Sequence, residues 1–216
     1  MAASEFADRA YHELERLQAS PGYHRRTGPT KALVEEVVPL ATFVKHFEAP
    51  QRRVRCKYLG RRTDKADAEI RLSGAAVSHG FYPSRLLIEI TVAVQPYAYL
   101  QRELMETGQP VFGGPNIYRT ASRHAKRSRI VNKPVVRDAG NEAEENAELI
   151  VQAVARKAAR VGRRKRVLLV DLEPGNIMRP RDWRRLPELC FVPETCGRFL
   201  AVFIVETTSG TVCHIS

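Results

Sequence analysis

The stretch LLIEITVAV, residues 86–94, decides the fold of this chain. It is almost continuously apolar and rich in β-branched side chains, a pattern typical of a strand that is buried on both faces of a sheet. Its exception is Glu89, which shares one face of the predicted strand with Leu87, Thr91 and Ala93. A lone carboxylate is unfavourable to bury as an anion, so this position requires a cation, a hydrogen-bond donor or a metal ion.

Similar patterns on both sides of this stretch predict further strands. Apolar side chains alternate with charged ones in the two stretches that precede it, which indicates half-exposed strands. The stretches that follow it near the C-terminus are again mostly apolar. The predicted strands cover residues 54–58, 67–72, 86–94, 167–172, 199–206 and 211–215, with Ser209-Gly210 as a hairpin turn before the last one.

Helical periodicity fills several of the intervals between these strands. Ser4 is placed to cap the first helix, and Pro39 is expected to kink or divide the second. The last helix is acidic in its first turns and basic at its end, an order that suits the helix dipole. The predicted helices cover residues 5–19, 30–47, 97–107 and 142–161, whereas residues 118–138 are predicted to be an exposed basic connection.

The composition is that of an ordinary globular protein. With 216 residues, of which 44% are hydrophobic and 27% charged, the chain can bury a sizeable core. We predict a single α/β domain over residues 1–216, with a mixed central β-sheet flanked by helices, a core over about residues 5–172 and C-terminal strands with a hairpin over 198–215. No apolar run approaches the roughly 20 residues that span a bilayer, so we expect a cytoplasmic protein without a membrane partner.

Several function classes lack their characteristic motifs. Cys56, Cys190, Cys196 and Cys213 form no Cys-x2-Cys pair, so we expect buried thiols and not a structural zinc site. Gly113-Gly114 is not followed by the Gly-Lys-Ser/Thr of a phosphate-binding loop. A Gly-x-Ser-x-Gly elbow is also absent from the sequence, which disfavours an α/β-hydrolase.

Basic residues exceed acidic ones, with 35 Lys and Arg against 24 Asp and Glu and a formal net charge of +11. This excess indicates an anionic partner, and the densest basic runs could bind phosphates with a strong dependence on salt. Solvated surface is the alternative explanation for such runs. The candidate nucleic-acid-binding residues are Arg123, Lys126, Arg127, Arg129, Arg163, Arg164 and Lys165.

A second carboxylate can join Glu89. The preceding predicted strand begins with Asp67 and carries Glu69 on the same face. If neighbouring strands bring Asp67 and Glu89 together, they form an oxygen-rich site of the kind that binds Mg²⁺. A structural ion pair between Glu89 and a buried arginine, for example Arg102, is the alternative.

The order of the elements resembles that of a known family. A helix, a strand, a strand with Asp67, a strand with Glu89-Ile90-Thr91, a helix and a strand follow one another as in the PD-(D/E)xK nucleases. The resemblance covers about residues 5–172 and implies a restriction-endonuclease-like fold. It also implies that Asp67 and Glu89 hold Mg²⁺ or Mn²⁺ and that a metal-activated water hydrolyses phosphodiester bonds of DNA.

One position departs from the family motif. Thr91 stands where the family has a lysine, and its hydroxyl can hydrogen-bond a water but carries no positive charge. Lys157, on the helix after the core, is the candidate for a displaced lysine, with Gln152 as a lesser polar partner. Glu13 is a candidate for the additional acidic residue that some members place on the first helix. The candidate catalytic residues are Asp67, Glu89, Thr91 and Lys157.

Other roles and functions stay open on this evidence. Lys157, Glu13 and Glu103 could each belong to a solvated helix face, and Asp171 and Glu173 end a predicted strand, where carboxylates commonly face a loop. The threonine in the motif favours a non-catalytic nucleic-acid- or protein-binding module that keeps the nuclease-like fold. A structural subunit whose basic surface meets an acidic protein is a third hypothesis, and a homo-oligomer is compatible with all three.

Overall fold

A six-stranded mixed sheet forms the centre of the computed structural model. The structure describes residues 1–20, 23–24, 26–60, 66–112, 116–121, 128–134, 141–160, 166–173 and 178–215. The strands of the main sheet are β1 (Arg53–Tyr58), β2 (Ala68–Ser73), β3 (Arg85–Ala93), β6 (Val167–Leu172), β7 (Ala201–Glu206) and β8 (Thr211–His214), and β4 (Ile117–Arg119) and β5 (Ile130–Asn132) form a separate pair.

Helices connect and cover these strands. They are α1 (Ala3–Gln18), α2 (Pro29–Ala32), a π-helix (Leu33–Val37), α3 (Val38–Phe47), α4 (Ala75–Ser78), α5 (Ala98–Glu106), α6 (Glu142–Ala158), α7 (Pro180–Cys190) and α8 (Pro193–Cys196). None of them, within the part of the chain that the structure describes, has both the length and the apolar character needed to cross a membrane.

The spatial order of the main sheet is β1-β2-β3-β6-β7-β8. β3, β6 and β7 run parallel, whereas β1, β2 and β8 each pair antiparallel with their neighbours. Parallel neighbours need a crossover connection, and α6 and α7 lie in the two connections. This arrangement places α6 against the face of β3 that carries Glu89.

Two apolar layers enclose the sheet. On one side, Phe43 of α3 packs with Ile88 and Leu169, and on the other side Ile150 of α6 packs with Leu168. Every residue of β6 is buried, which is why its sequence is continuously apolar and does not alternate. The cysteine prediction is confirmed for three thiols, and burial raises the pKa of two of them to about 12. The buried thiols are Cys56, Cys190 and Cys196, and those with the raised pKa are Cys56 and Cys190.

The prediction of a mixed α/β architecture is confirmed. Each of the six predicted strands is present in the main sheet, with ends within two residues of the predicted ones. Helix α6 begins at the predicted residue, Glu142, and ends at Ala158. The predicted turn at Ser209-Gly210 is also present, and Gly210 adopts a φ of 73°, which favours glycine.

Two sequence predictions were wrong in detail. Ser4 does not cap helix α1, since the helix begins at Ala3 and Ser4 lies inside it. Ala3 is completely buried in the core, so packing sets the start of the helix. Residues 118–138 were predicted to be an exposed connection, but β4 and β5 lie there and pack Ile117 against α5. Helix α7 was not predicted, since Pro187 and its many arginines obscure the apolar stripe.

The helix before β1 is divided as Pro39 predicted. Regular α-helical bonding is replaced by the π-helix immediately before α3, and Pro39 is the second residue of α3. Proline has no N–H to donate to the preceding turn, which explains the local change of bonding pattern. Single π-turns of this kind occur often at functional sites. Here the π-helix carries Glu35 and Glu36, and Glu36 is buried.

Candidate active site

Asp67 directly precedes β2, at the point where β3 continues beyond its last pair with that strand. The last β2–β3 pair is Ala68 with Ile88, and an extension of this antiparallel register places Asp67 opposite Glu89. The backbone N–H of Asp67 donates to the carbonyl of Ile88 at 3.0 Å. Its carboxylate Oδ2 accepts the N–H of Ile90 at 2.7 Å. The side chain thus replaces the missing strand partner, and this contact fixes its orientation.

The ammonium of Lys157 lies between the two predicted carboxylates. Its Nζ donates to Glu89 Oε2 at 2.8 Å and to Asp67 Oδ2 at 3.1 Å. Lys157 lies one turn beyond the buried Ala153 and Val154, so it projects from the side of α6 that covers the sheet. The structure therefore brings together Asp67, Glu89 and Lys157, three of the four candidate catalytic residues.

The other oxygen of Glu89 is also occupied. Its Oε1 accepts a hydrogen bond from the guanidinium of Arg166, which directly precedes β6. The Glu89 side chain is only 9% exposed between the two cations. Arg166 was not predicted as a site residue. It lies two residues before Leu168, which is the register partner of Glu89, and therefore on the same face of the sheet as Glu89.

The suggestion that Arg102 forms the ion pair with Glu89 was wrong. Its guanidinium pairs with Glu173 and lies 3.8 Å from Glu35. Arg102 belongs to α5, which begins beyond the carboxyl end of β3, whereas Glu89 lies in the middle of that strand. The buried arginine that was expected to pair with Glu89 is Arg166, which directly precedes β6.

Lys157 is held in its charged form. Burial alone lowers the pKa of its ammonium, but the hydrogen bond to Glu89 and the charges of Asp67 and Glu89 together outweigh burial, and the pKa of Lys157 is raised above its ordinary value. The side chain is therefore a cation at neutral pH. It can stabilise negative charge, but it has no lone pair with which to accept a proton.

A polar cavity of about 440 Å³ opens beside this cluster. It opens where β2 begins only at Ala68, so that none of the described residues forms a strand partner for the carboxyl end of β3 on that side. Thr91, the fourth candidate, lines the cavity, whereas Glu89 lies behind its wall. The lining residues are Lys31, Glu35, Glu36, Asp67, Ile90, Thr91, Val92, Lys157 and Arg160.

The additional acidic residues of the cavity come from the π-helix and not from α1. Glu13 forms an exposed ion pair with Arg16 at 2.6 Å, so it does not belong to this site. Glu35 and Glu36 line the cavity instead, and Glu36 accepts a hydrogen bond from the hydroxyl of Tyr58 at 2.5 Å. The signal in the sequence was an acidic pair inside an otherwise apolar helical pattern.

Two further candidates lie elsewhere. Gln152 is exposed on α6 and borders a different, shallow depression. Glu103 accepts a hydrogen bond from Arg119 at 2.6 Å and joins α5 to β4. Both residues have structural or solvated positions and take no part in the Lys157 cluster.

A magnesium ion bound by the two carboxylates would compete with the Lys157 ammonium, which lies between Asp67 and Glu89. Among the described residues, no three His, Cys, Asp or Glu side chains are placed to hold one metal ion. Mg²⁺ commonly takes only one or two carboxylates and completes its shell with water and substrate phosphates. Glu89 would offer Oε2, the oxygen that accepts from Lys157, since Oε1 accepts from Arg166. A metal ion would therefore have to take the place of the ammonium beside Glu89.

Most of the predicted nucleic-acid-binding residues fall where the structure gives no description. Arg129 is the exception: it is exposed beside the β4–β5 pair, and its backbone N–H donates to the Thr120 hydroxyl at 3.2 Å. The residues outside the described part are Arg123, Lys126, Arg127, Arg163, Arg164 and Lys165.

Comparison with known proteins identified no relative of this chain. No protein-family model, no curated protein and no solved structure matches the chain significantly.

Asp171 and Glu173 line a separate cavity of about 650 Å³ at the carboxyl end of β6. Glu173 is paired with Arg26 at 2.7 Å and with Arg102. Asp171 is 4% exposed, and among the described residues no donor is hydrogen-bonded to its carboxylate. Burial raises its pKa well above the ordinary value, only partly offset by the charge of Arg26. The ionised form of Asp171 is thus unfavourable in the folded protein.

Asparagine at Asp171 is expected to stabilise the protein at neutral pH. The folded pKa lies above the unfolded pKa of about 3.9, so the wild-type protein loses stability as the pH rises from the unfolded value toward the folded one. Asp171→Asn removes this loss and should raise the free energy of unfolding at pH 8 by about 1 kcal/mol. Urea denaturation at pH 4 and pH 8 measures the difference.

The gain should be much smaller at pH 4, where the carboxyl is protonated in the folded protein and already about half protonated in the unfolded chain. Asp8→Asn, on the exposed side of α1, is the matched control and should change stability little at either pH. A variant at Asp171 that is less stable than wild type at pH 8 would contradict the prediction.

Proposed function

We propose that this protein is a metal-dependent nuclease that hydrolyses phosphodiester bonds of DNA. The observation that carries the proposal is the Lys157 ammonium, held by Asp67 and Glu89 at the wall of a polar cavity. Two carboxylates and one lysine on this strand order are the residue types that the PD-(D/E)xK resemblance implies. The side chains of Asp67 and Lys157 are 18% and 23% exposed, so a substrate phosphate can reach them.

Lys157 takes the place of the motif lysine. It comes from α6 and not from β3, but its ammonium contacts both carboxylates directly. Thr91 lines the same cavity and offers a hydroxyl that can orient a water molecule. The change from lysine to threonine on the strand is therefore compensated in space by a lysine on the crossover helix.

The roles of the side chains follow from their charges. Asp67 and Glu89 would hold the metal ion, which, when bound, polarises the phosphodiester and lowers the pKa of a water molecule. The Lys157 ammonium is positioned to offset negative charge that develops on the phosphate oxygens. Since its pKa is raised, it acts through its charge and not as a proton acceptor.

A second candidate is a non-catalytic binding module, and one observation favours it. Both oxygens of Glu89 are already bound by cations, Lys157 and Arg166, in a nearly buried ion-pair network. Such a network is electrically balanced without a metal ion. If it is purely structural, the protein binds nucleic acid without cleaving it.

Nuclease assays with supercoiled plasmid, single-stranded DNA and RNA test the proposal. We expect cleavage with Mg²⁺ or Mn²⁺, none with a chelator, and a loss of about 10²-fold or more in Asp67→Asn. Asp8→Asn is the control, since Asp8 is an exposed carboxylate on α1 and belongs neither to the Lys157 cluster nor to the lining of the cavity beside it. Undiminished cleavage by Asp67→Asn would refute the assignment, and binding without cleavage under any condition would select the module.

A further inference from the structure

The outer face of the β1-β2-β3 meander carries a concentrated positive charge. Side chains on alternate residues of a strand share one face, and the register aligns these faces across the three strands. All of the cations on this face are exposed, and one carboxylate lies among them. We call this surface the basic face, and its residues are Arg53, Arg55, Lys57, Glu69, Arg71 and Arg85.

Three arginines of the basic face form a row across the strands. Arg55 pairs in register with Arg71, and Arg71 pairs with Arg85. Side chains directly opposite each other have Cβ atoms about 5 Å apart, and like charges at this separation destabilise a sheet. The row therefore opposes folding at positions where neutral β-branched residues would favour it.

The row is only partly neutralised. Glu69 accepts hydrogen bonds from Arg71 at 2.8 Å and from Arg85 at 2.6 Å. Among the residues that the structure describes, no carboxylate pairs with Arg55. Arg71 and Arg85 also remain 74% and 61% exposed. An external anion would relieve the remaining repulsion.

The basic face continues into the candidate active site. Glu69 and Arg71 lie at alternate positions of β2, on the same side of the sheet as Glu89. Asp67 directly precedes this strand, and its carboxylate contacts Lys157 on that side together with Glu89. Arg71 is four positions beyond Asp67, which corresponds to about 13 Å along an extended chain. The arginine row and the carboxylates thus lie along one surface with no change of face between them.

We propose that the basic face binds the phosphate backbone of nucleic acid and that Arg55, Arg71 and Arg85 are its principal contacts. Guanidinium groups match phosphate oxygens in a bidentate geometry, which suits an exposed row of arginines. A distance of about 13 Å equals about four base steps of 3.4 Å. The placement of the scissile phosphodiester at Asp67 rests on the proposed function, whereas binding by the row does not.

Fluorescence anisotropy with a 20-base-pair duplex in the presence of chelator tests the proposal without cleavage. The triple variant Arg55→Gln, Arg71→Gln, Arg85→Gln is expected to bind DNA at least about tenfold more weakly at 0.1 M salt. Each lost phosphate contact should also reduce the slope of log affinity against log salt by about 0.9. A duplex RNA of the same sequence is the second arm, and it shows which nucleic acid the face prefers.

The control variant also removes three positive charges, but from a part of the surface outside the basic face. The triple variant Arg9→Gln, Arg16→Gln, Arg185→Gln replaces arginines that are 68%, 63% and 50% exposed on α1 and α7. Its affinity and salt slope should stay near those of wild type. Equal losses in both triple variants would show that net charge alone drives binding, and this would overturn the proposal.

Thermal stability and binding to an acidic polymer distinguish a nucleic-acid-binding face from a structural or protein-binding one. The Arg55, Arg71 and Arg85 variant should be no less thermally stable than wild type, because it removes like-charge pairs. If this variant binds DNA as wild type does but no longer binds poly-glutamate, the partner of the basic face is an acidic protein. This result would overturn the proposal. Asp67→Asn should still bind DNA, so failure of catalysis and failure of the basic face are distinguishable.

Discussion

Replacing Lys157 by methionine is expected to reduce metal-dependent cleavage by about 10²-fold to 10³-fold, the effect of removing one well-placed electrostatic contact to a transition state. Methionine keeps much of the apolar stem that packs on the sheet but removes the ammonium that bridges Asp67 and Glu89. The turnover number at saturating DNA measures the effect. DNA affinity in the absence of metal should change little.

Arg156→Met is the matched control for this experiment, because Arg156 is the exposed neighbour of Lys157 on α6. It should cleave DNA within about threefold of wild type. Lys157→Arg retains the charge with a different shape, so partial recovery of activity would separate loss of charge from loss of packing. A methionine variant with wild-type turnover would show that Lys157 is not the displaced motif lysine.

Replacing Glu89 by alanine is expected to lower the free energy of unfolding by about 3–5 kcal/mol, the usual result of removing one partner from a buried ion pair. The variant leaves the Arg166 and Lys157 side chains, 12% and 23% exposed, without their common acceptor. Urea denaturation at neutral pH measures the change. Activity of this alanine variant is therefore a poor test of catalysis, and glutamine is the better substitution at this position.

Glu69→Ala provides the comparison on the neighbouring strand. Its arginine partners are mostly exposed and can be solvated when the carboxylate is removed, so the expected loss is below about 1 kcal/mol. A Glu89→Ala protein that is as stable as Glu69→Ala would mean that water reaches Arg166 and that the Glu89 network is not a structural element.

The central strands could be predicted from sequence because their burial leaves a direct mark on composition. β3 and β6 are covered on both faces, so apolar residues are continuous there, and Glu89 is conspicuous as the exception. Parity along the strands predicted a shared face for Asp67 and Glu69 and suggested that Asp67 and Glu89 could meet, but the meeting itself depends on the β2–β3 register. Lys157 could be named because the resemblance requires a lysine and Lys157 lies on the helix after the core.

The remaining features depend on three-dimensional pairings that local patterns do not contain. Arg166 becomes a partner of Glu89 only through the parallel register of β3 and β6. Glu36 reaches the cavity because a π-helix changes the angular positions of its residues. The arginine row exists only in the antiparallel registers of three strands, since Arg55, Arg71 and Arg85 are ordinary exposed strand residues when each is considered alone.

Arg102 makes the two cavities share one positive charge. Its guanidinium contacts Glu35, at the wall of the cavity beside Asp67, and Glu173, at the wall of the cavity beside Asp171. An unbroken chain of ion pairs, from Glu35 through Arg102 and Glu173 to Arg26, therefore runs between the two cavities and forms part of both walls.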